Sequence, residues 1–152
     1  MPVQQLNEDF NGIYVLLFSV NKNISIKIGS LGKIFFLKGI YAYIGSAQSG
    51  VKKRVARHLS KKKKKFWHID YLLDSKFVKI IEVFYLNAPK PKECKVASLL
   101  CRKYSFIGYF GCSDCSCKSH LIFLRDAKTY SLRDSLNKLG FLRLNLKKTK
   151  KR

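Results

Sequence analysis

The stretch that decides the fold of this chain is Gly12–Val20, with the sequence G-I-Y-V-L-L-F-S-V. It is rich in β-branched and aromatic residues, which suit the pleated, packed surface of a sheet. A short apolar run closed by turn residues, here Asn21-Lys22-Asn23, is typical of a buried strand. We therefore predict a buried β-strand over Gly12–Val20.

Alternating polarity and turn residues predict further strands and helices after this one. The predicted strands are Ile24–Ile28, Lys33–Lys38, Tyr41–Ile44, Val78–Leu86 and His120–Leu124, and the predicted helices are Val51–Leu59, Phe66–Leu73, Glu93–Tyr104 and Ser131–Leu139. Several antiparallel strands followed by helix, strand and helix indicate an α+β domain, with helices flanking a small mixed or antiparallel sheet. The strands around Gly29-Ser30-Leu31-Gly32 form a β-hairpin inserted near the N-terminus. The domain is predicted to span residues 1–146, and residues 147–152 to form a basic flexible tail.

The net charge indicates the class of partner. The 152 residues include 31 Lys and Arg against 9 Asp and Glu, a formal charge of +22, while 47% are hydrophobic, which is normal for a folded core. A charge of this size suits a polyanion, because phosphate contacts by Lys and Arg release counterions. We expect nucleic acid, with DNA favoured over RNA, and not an anionic membrane, because no basic amphipathic helix stands out. No stretch has the ~18 uninterrupted apolar residues of a membrane span, and the N-terminus has no secretory signal pattern.

The cysteines indicate a reducing compartment and one candidate metal site. There are five, and three are crowded at Cys112, Cys115 and Cys117, which is not a spread disulfide framework. We therefore expect a cytoplasmic protein. With His120, these cysteines offer the ligand types of a Cys3His zinc site. The spacing is compressed, since one short loop would have to supply all four ligands, and this favours the alternative of small buried thiols in a hydrogen-bond network with Asp114 and His120.

Two further cysteines and one further histidine are predicted to be structural. Cys94 and Cys101 lie seven residues apart on one face of the predicted helix Glu93–Tyr104, and we place both in the core. His68, beside Trp67, is predicted to be a hydrogen-bonded structural residue.

Tyr14, Tyr43, Arg54 and His58 form a set suited to phosphodiester cleavage. Arg54 and His58 are four residues apart on a helix, so both can point into one site. Arg54 offers planar, permanently charged donors to a phosphate, and His58 can orient groups or relay a proton. Tyr14 can act as a base only where a nearby cation lowers its pKa from about 10, and Tyr43 would position phosphate or water. Taken singly, each tyrosine is better explained as an aromatic side chain that packs within the sheet. The catalytic interpretation is the better one only for the ordered set of Tyr14, Tyr43, Arg54 and His58.

This ordered set resembles the motifs of the GIY-YIG nuclease superfamily, through Gly12-Ile13-Tyr14, Tyr43-Ile44-Gly45, Arg54 and His58. The chain is similar in particular to a branch of small uncharacterised archaeal proteins. That similarity lies in the lysine run into Trp67–Leu72 and in the cysteine-rich residues 110–121, and the whole resemblance covers roughly residues 11–125. It departs from the family in the 28 residues between Tyr14 and Tyr43, where many members have a short hairpin. We attribute this difference to the inserted strands.

The resemblance implies a metal-dependent endonuclease that hydrolyses DNA with one bound Mg²⁺ or Mn²⁺. In that family a tyrosine of the first motif helps to activate water, an arginine holds the phosphate, and a glutamate of a later helix binds the ion. Here these residues would be Tyr14, Arg54 and Glu93. Asp70 is the alternative metal ligand and Glu82 the third choice. Few base-reading features stand out, so we expect structure-selective rather than sequence-selective cleavage.

Phosphate contacts are expected along the basic helix and the lysine run that follows it. The predicted contacts are Ser46, Lys52, Lys53, Arg57, Lys61, Lys62, Lys63, Lys64 and Lys65. Ser46 lies where some GIY-YIG proteins carry lysine. A lysine run is usually a solvated face, and the alternative function is a non-catalytic basic protein that binds DNA or RNA. Both functions involve binding, so only turnover distinguishes them.

Overall fold

One central β-sheet organises the protein, for which a computed structural model describes residues 3–4, 9–112, 115–124 and 128–146. The strands are β1 (Val3–Gln4), β2 (Gly12–Val20), β3 (Ile24–Lys27), β4 (Lys33–Phe36), β5 (Gly39–Ala47), β6 (Val78–Leu86), β7 (Ser105–Phe106), β8 (Leu121–Leu124) and β9 (Leu142–Leu144). The helices are α1 (Val51–Leu59), α2 (His68–Leu73), α3 (Pro91–Lys103) and α4 (Lys128–Lys138). Within these described residues, the sheet has seven strands in the order β1-β9-β6-β2-β5-β8-β7.

The strand β2 lies in the middle of the sheet, as its apolar sequence predicts. It pairs antiparallel with β5 on one side and with β6 on the other. Eight of its nine residues are buried, and only Ser19 is partly exposed. Because both faces of the sheet are covered, the strand has a continuous apolar sequence instead of an alternating one. The register places Tyr14 opposite Gly45 of β5.

Alternate residues of β2 enter two separate cores. Ile13, Val15 and Leu17 belong to an apolar core that contains side chains of α3 and α4. Tyr14 and its neighbours on the other face belong to a second core, with side chains of α1, α2 and the hairpin β3–β4. The sheet is therefore the middle layer of three, and α1 lies on the Tyr14 side.

The predicted fold class is confirmed: helices pack on both faces of a largely antiparallel sheet, and β3 and β4 form a separate antiparallel hairpin. The bounds of β2, β6 and α1 are those predicted, whereas α3 begins two residues early, at Pro91, which suits the first turn of a helix. The strands β1, β7 and β9 were not predicted, because two or three residues carry too little pattern. Residues 147–152, predicted as a tail, lie outside the described residues. No helix in the described part of the chain has the length and apolar character needed to cross a membrane.

Candidate functional site

The N-terminus of α1 is held by a residue far away in the sequence. Asp9 accepts hydrogen bonds from the backbone N–H groups of Lys52 at 2.8 Å and Lys53 at 3.1 Å. An acidic side chain here satisfies unpaired helix N–H groups and interacts favourably with the helix dipole. Gly50, just before the helix, has a φ of 123°, which favours glycine, and a side chain at this position would overlap the Asp9 carboxylate. This junction sets the direction in which α1 presents its functional side chains.

Tyr14 and His58 meet in the buried space between β2 and α1. The Tyr14 hydroxyl lies 2.7 Å from His58 Nε2, and the two residues are 1% and 3% exposed. The Tyr14 ring fits against β5 because Gly45 has no side chain, and a Cβ there would lie 2.5 Å from the hydroxyl. The Tyr43 ring centre is 6.4 Å from those of both Tyr14 and His58. The fold therefore brings these three side chains into one cluster.

Arg54 joins this cluster through Trp67. Its guanidinium lies 4.3 Å from the centre of the Trp67 ring, a favourable cation–π arrangement. Its Nη1 also donates a hydrogen bond to the Ser46 carbonyl at 2.8 Å. These two contacts fix the side chain, so that less conformational entropy is lost when it binds an anion.

The four predicted catalytic side chains surround or adjoin one cleft of about 190 Å³. The cleft is lined by Tyr14, Tyr43, Ser46, Gln48, Arg54, Trp67, Lys90, Glu93 and Gly111. It combines two cationic side chains with one carboxylate, so it can bind an anion and still offer a ligand to a cation. A second cleft of about 340 Å³ shares Tyr43, Trp67 and Gly111 with the first and extends to Phe66.

Burial holds Tyr14 and His58 in their neutral forms. Burial raises the pKa of Tyr14 well above its usual 10.0, although the charge of Arg54 opposes this shift. Burial also raises the pKa of Tyr43 well above 10.0 and lowers that of His58 to about 3. Among the described residues, His58 Nδ1 is the buried side-chain N or O atom that has no hydrogen-bond partner. Transfer of the phenol proton from Tyr14 to His58 is therefore strongly unfavourable in this cleft.

Glu93 enters the cleft from the first turn of α3. Its Oε2 lies 3.1 Å from His120 Nδ1, and the same nitrogen lies 3.1 Å from the Ile44 carbonyl oxygen. Burial lowers the pKa of His120, but the hydrogen bond and charge of Glu93 outweigh this effect and raise it to about 9. The predicted metal ligand is therefore placed beside Tyr14 and Arg54, and it is ion-paired with His120.

A Cys3His cluster that can hold a metal ion lies on the other side of His120. The ligand atoms of Cys94, Cys115, Cys117 and His120 all lie within 4.8 Å of one another. The sequence-based set is wrong in one member, because Cys94 of α3 takes the place assigned to Cys112. The Cys112 thiol instead donates to the Phe110 carbonyl at 3.5 Å, and burial raises its pKa to about 12. The prediction that Cys94 is a plain core residue is also wrong, since its thiol is part of this cluster.

Asp70, the alternative metal ligand, lies outside the cleft. Its buried carboxylate accepts hydrogen bonds from Arg57 at 2.7 and 3.0 Å, and from the backbone N–H groups of Phe66 and Trp67 at 2.8 Å each. Burial raises the pKa of Asp70, but these bonds outweigh it and hold the pKa below its usual value. The carboxylate is thus used in a structural ion pair. Arg57 is held by this pair and lies over Trp67 at 4.4 Å. Its side chain is 28% exposed, and its contact with phosphate stays a prediction.

Glu82, the third choice of ligand, lies on the other face of the sheet. It is ion-paired with Arg133 at 2.8 Å and with Arg143 at 3.3 Å. These three residues line a separate cleft beside α4. Glu93 is thus the predicted ligand that lines the Tyr14 cleft.

The lysine run divides into two groups. Lys61 donates to the Leu73 carbonyl at 2.9 Å, Lys63 to the Ser60 carbonyl at 2.5 Å, and Lys65 pairs with Asp74 at 3.3 Å. Lys62 and Lys64 are exposed, as is Lys53 of α1. The exposed group remains suited to phosphate contact, whereas the other three also hold the loop between α1 and α2.

The sequence analysis missed several residues that shape the site. Trp67 was known only as a neighbour of His68, and its contact with Arg54 depends on how the loop after α1 folds back. His68 itself accepts a hydrogen bond from the Gly111 backbone N–H at 2.8 Å, so its predicted structural role is confirmed. Lys90 precedes α3 by one residue and enters the cleft with Glu93. The sequence did contain a signal for Cys94. One short loop can hardly place four ligands around one ion, and this favours a ligand from another part of the chain.

Comparison with known protein families shows which family the chain belongs to. The family model described as domain of unknown function DUF123 matches residues 13–140. The chain belongs to the DUF123 family. No curated protein and no solved structure matches it.

The DUF123 match overturns the resemblance to the GIY-YIG superfamily, because DUF123 is a distinct family and nothing in the comparisons indicates GIY-YIG. The structure gives a packing reason for the misleading motifs. Gly12 has the Leu86 carbonyl where its side chain would lie, and Gly45 has the Tyr14 ring there. Two close approaches within a sheet thus account for both glycines without a shared ancestry. The cleft of this DUF123 protein has to be interpreted from its own side chains.

Proposed function

We propose that this DUF123 protein is a metal-dependent endonuclease that hydrolyses phosphodiester bonds in DNA. The observation that carries the proposal is the cleft of Tyr14, Tyr43, Arg54 and Glu93, which a fixed arginine and a carboxylate line together on a chain of charge +22. Active sites are the usual reason for buried polar groups of this kind to converge on a cleft.

Arg54 is the phosphate-binding residue in this proposal. Its guanidinium is permanently charged, and planar donors match two oxygens of one phosphate. The contacts with Trp67 and the Ser46 carbonyl hold it in place before substrate arrives. Lys90 adds a second positive charge to the same cleft.

The donor set of the cleft fits Mg²⁺ or Mn²⁺ bound by Glu93. Mg²⁺ commonly uses one or two carboxylates and completes its shell with waters and substrate phosphate oxygens. Glu93 supplies one carboxylate, and its ion pair with His120 orients that group through Oε2. When bound, such an ion lowers the pKa of a coordinated water and neutralises charge on the phosphate.

Tyr14 orients the attacking water as a neutral phenol. Its raised pKa and the low pKa of His58 make it a poor base before a cation enters the cleft. The hydrogen bond with His58 at 2.7 Å fixes the hydroxyl direction. Tyr43 contributes a second neutral hydroxyl to the same cleft.

Nucleic acid is the substrate that the surroundings of the cleft favour. Phe66 is 74% exposed, follows the lysine run and packs edge-on against Trp67 at 5.4 Å. An exposed aromatic ring beside exposed lysines can stack on a base while the lysines contact phosphates. Such contacts recognise the backbone and unpaired bases, so we expect selectivity for structure instead of sequence. The five free thiols are consistent with a reducing, cytoplasmic setting.

The test is cleavage of labelled duplex, flap, fork, single-stranded DNA and RNA, with Mg²⁺ or Mn²⁺ and with EDTA. We expect metal-dependent cleavage of at least one DNA substrate, reduced about 100-fold or more in Arg54→Ala and in Glu93→Gln. Arg102→Ala is the matched control, because Arg102 is exposed at the far end of α3. Equal activity in all of these proteins would mean that the cutting belongs to a contaminant or to another site.

Tyr41→Phe is the matched control for Tyr14→Phe. Tyr41 is also buried and donates its hydroxyl to the Leu37 carbonyl at 2.7 Å, but it does not line the cleft. Loss of either hydroxyl costs a similar free energy of unfolding, about 1 kcal/mol. Only Tyr14→Phe is expected to lower cleavage.

A second candidate is a nucleic-acid-binding protein without catalysis. The ion pair of Glu93 with His120 favours it, because the carboxylate already has a partner. Binding that falls steeply with salt, with no cleavage of any substrate in the panel, would support this function in place of the first.

A further inference from the structure

The cluster of Cys94, Cys115, Cys117 and His120 is a second site, separate in its chemistry from the cleft. It draws its ligands from three places: α3, the tip of a loop and the base of that loop. The loop base is closed by backbone hydrogen bonds from Tyr109 N–H to the Lys118 carbonyl and from His120 N–H to the Phe110 carbonyl, both 2.8 Å. Because Cys94 comes from a helix, a compressed loop no longer has to wrap an ion alone.

We propose that these four residues bind one structural Zn²⁺. Three thiolates and one imidazole are a tetrahedral set that zinc prefers. In such a site the ligand atoms lie roughly 3.5–3.8 Å apart, from tetrahedral angles and bond lengths of about 2.3 Å to sulfur and about 2.0 Å to nitrogen. The His120 Nε2 to Cys115 Sγ distance is already 3.4 Å, and all four ligand atoms lie within 4.8 Å of one another. Small side-chain rotations complete the tetrahedron.

The orientation of His120 supports metal binding through Nε2. Its Nδ1 points to the Glu93 carboxylate and to the Ile44 carbonyl, each at 3.1 Å. A metal-binding histidine almost always donates its other N–H to a carboxylate or carbonyl, which fixes the tautomer. Glu93 is therefore the outer carboxylate of the zinc centre as well as a wall of the cleft.

Zinc binding has a defined chemical balance. The three thiols and the Nε2–H of protonated His120 release their protons to solvent on coordination, and His120 then binds through the Nε2 lone pair while it keeps the proton on Nδ1. The result is a centre of net charge −1 that ties the loop tip to α3. It needs no oxidant or other reactant.

The first measurement is the zinc content of purified protein together with X-ray absorption of the zinc-loaded wild type. We expect one zinc per chain, with a shell of three sulfurs and one nitrogen. A shell of nitrogen and oxygen only, four sulfurs, or a disulfide between the cluster cysteines without zinc would overturn the proposal. This measurement uses the wild type, so it does not depend on whether a variant folds.

The cysteines themselves provide matched variants. Cys94→Ser is expected to abolish stoichiometric zinc, whereas Cys112→Ser and Cys101→Ser keep it, although all three thiols are partly buried. Cys112→Ser tests the site closely, because Cys112 lies in the same loop and outside the ligand group. Zinc retained in Cys94→Ser, or lost in Cys112→Ser, would contradict the assignment.

The role of Glu93 is tested by the zinc affinity of Glu93→Gln, compared with Glu82→Gln on the other face of the sheet. We expect about 10-fold weaker zinc binding in Glu93→Gln alone, and equal affinity in both variants would remove Glu93 from the centre. These readouts are independent of cleavage. A protein that binds zinc as described and cuts no nucleic acid would refute the proposed function and leave the zinc centre intact.

Discussion

The two faces of β2 bury very different side chains. On the α3 and α4 side, Ile13, Val15 and Leu17 enter a core made of apolar groups. On the α1 side, the same strand buries the hydroxyl of Tyr14 against His58, and Asp70 is completely buried in the same layer. One strand therefore contributes to an ordinary core and to a polar cluster.

The polar cluster is where the chain departs from maximum stability. A buried polar group without a partner costs about 1–3 kcal/mol, and His58 Nδ1 is such a group within the described residues. In the part of the chain that the structure describes, the apolar face holds no such atom. Polar groups kept in a layer where apolar side chains would pack without this cost are expected at functional sites.

A substitution in the apolar core should change the free energy of unfolding more than any other change considered below. Phe84→Ala, in the apolar core, should lower the free energy of unfolding by about 3–5 kcal/mol, because it removes a buried ring and leaves a cavity. Urea unfolding measures this change. Cleavage per folded molecule should stay at the wild-type level, and its loss would show that the faces are coupled.

The second-largest loss of stability is expected on the α1 side of the sheet, in the layer that contains the polar cluster. Asp70→Ala should cost about 2–3 kcal/mol, because it leaves Arg57 and two backbone N–H groups without their acceptor while Arg57 remains partly exposed. Asp74→Ala is the matched control, since its pair with Lys65 is exposed on both sides and should contribute less than about 1 kcal/mol. Equal losses in the two variants would mean that Asp70 is an ordinary surface charge.

The sequence predicted the burial of apolar side chains on both faces better than the geometry of the polar cluster. The β-branched and aromatic residues of Gly12–Val20 and Val78–Leu86 were enough to place both strands with their observed bounds. Helix period also placed α1, since Val51 and Val55 recur four residues apart and are both buried. Burial of apolar groups follows a local period, and local sequence encodes that period directly.

The site was predicted only in part because its geometry depends on long-range contacts. Tyr14 and His58 were predicted to share one site, yet their distance depends on how Asp9 and Gly50 hold α1. The ligand Cys94 lies 21 residues before Cys115 in the sequence, so spacing within the loop could not reveal it. Short motifs misled for the same reason, because Gly45 is explained by the Tyr14 ring opposite it.

A change of pH should alter the stability of the polar face through His58. Its pKa is lowered by burial to about 3, from 6.5, so the folded state disfavours the charged form. Stability from this residue is therefore complete above pH 6.5 and falls as the pH drops from 6.5 towards 3. The loss between pH 7 and pH 5 is roughly 2 kcal/mol.

Urea unfolding of wild type and His58→Leu at pH 7 and pH 5 measures this term. His58→Leu should lose less of its free energy of unfolding between pH 7 and pH 5 than the wild type. His68 and His120 titrate in both proteins, so their contributions cancel in the difference. An identical pH dependence in the two proteins would show that His58 is solvated in the native state. The apolar face has no equivalent residue among those described in its core.

The smallest expected effect distinguishes lysines on the two sides of the sheet. Lys62 and Lys64 are exposed in the loop after α1, and each that contacts a phosphate should steepen the salt dependence of DNA binding by about 0.9 in the logarithmic slope. Lys62→Ala and Lys64→Ala should therefore each weaken binding by a few-fold, or less than about 1 kcal/mol, and lower that slope. Lys138→Ala on α4 is the control, because Lys138 is exposed but pairs with Asp134 at 3.2 Å, in the helical layer on the other face of the sheet. Binding isotherms at several salt concentrations measure the slopes. If all three variants reduce the slope equally, DNA is attracted by the overall charge of the protein, and the α1 side is not its specific binding face.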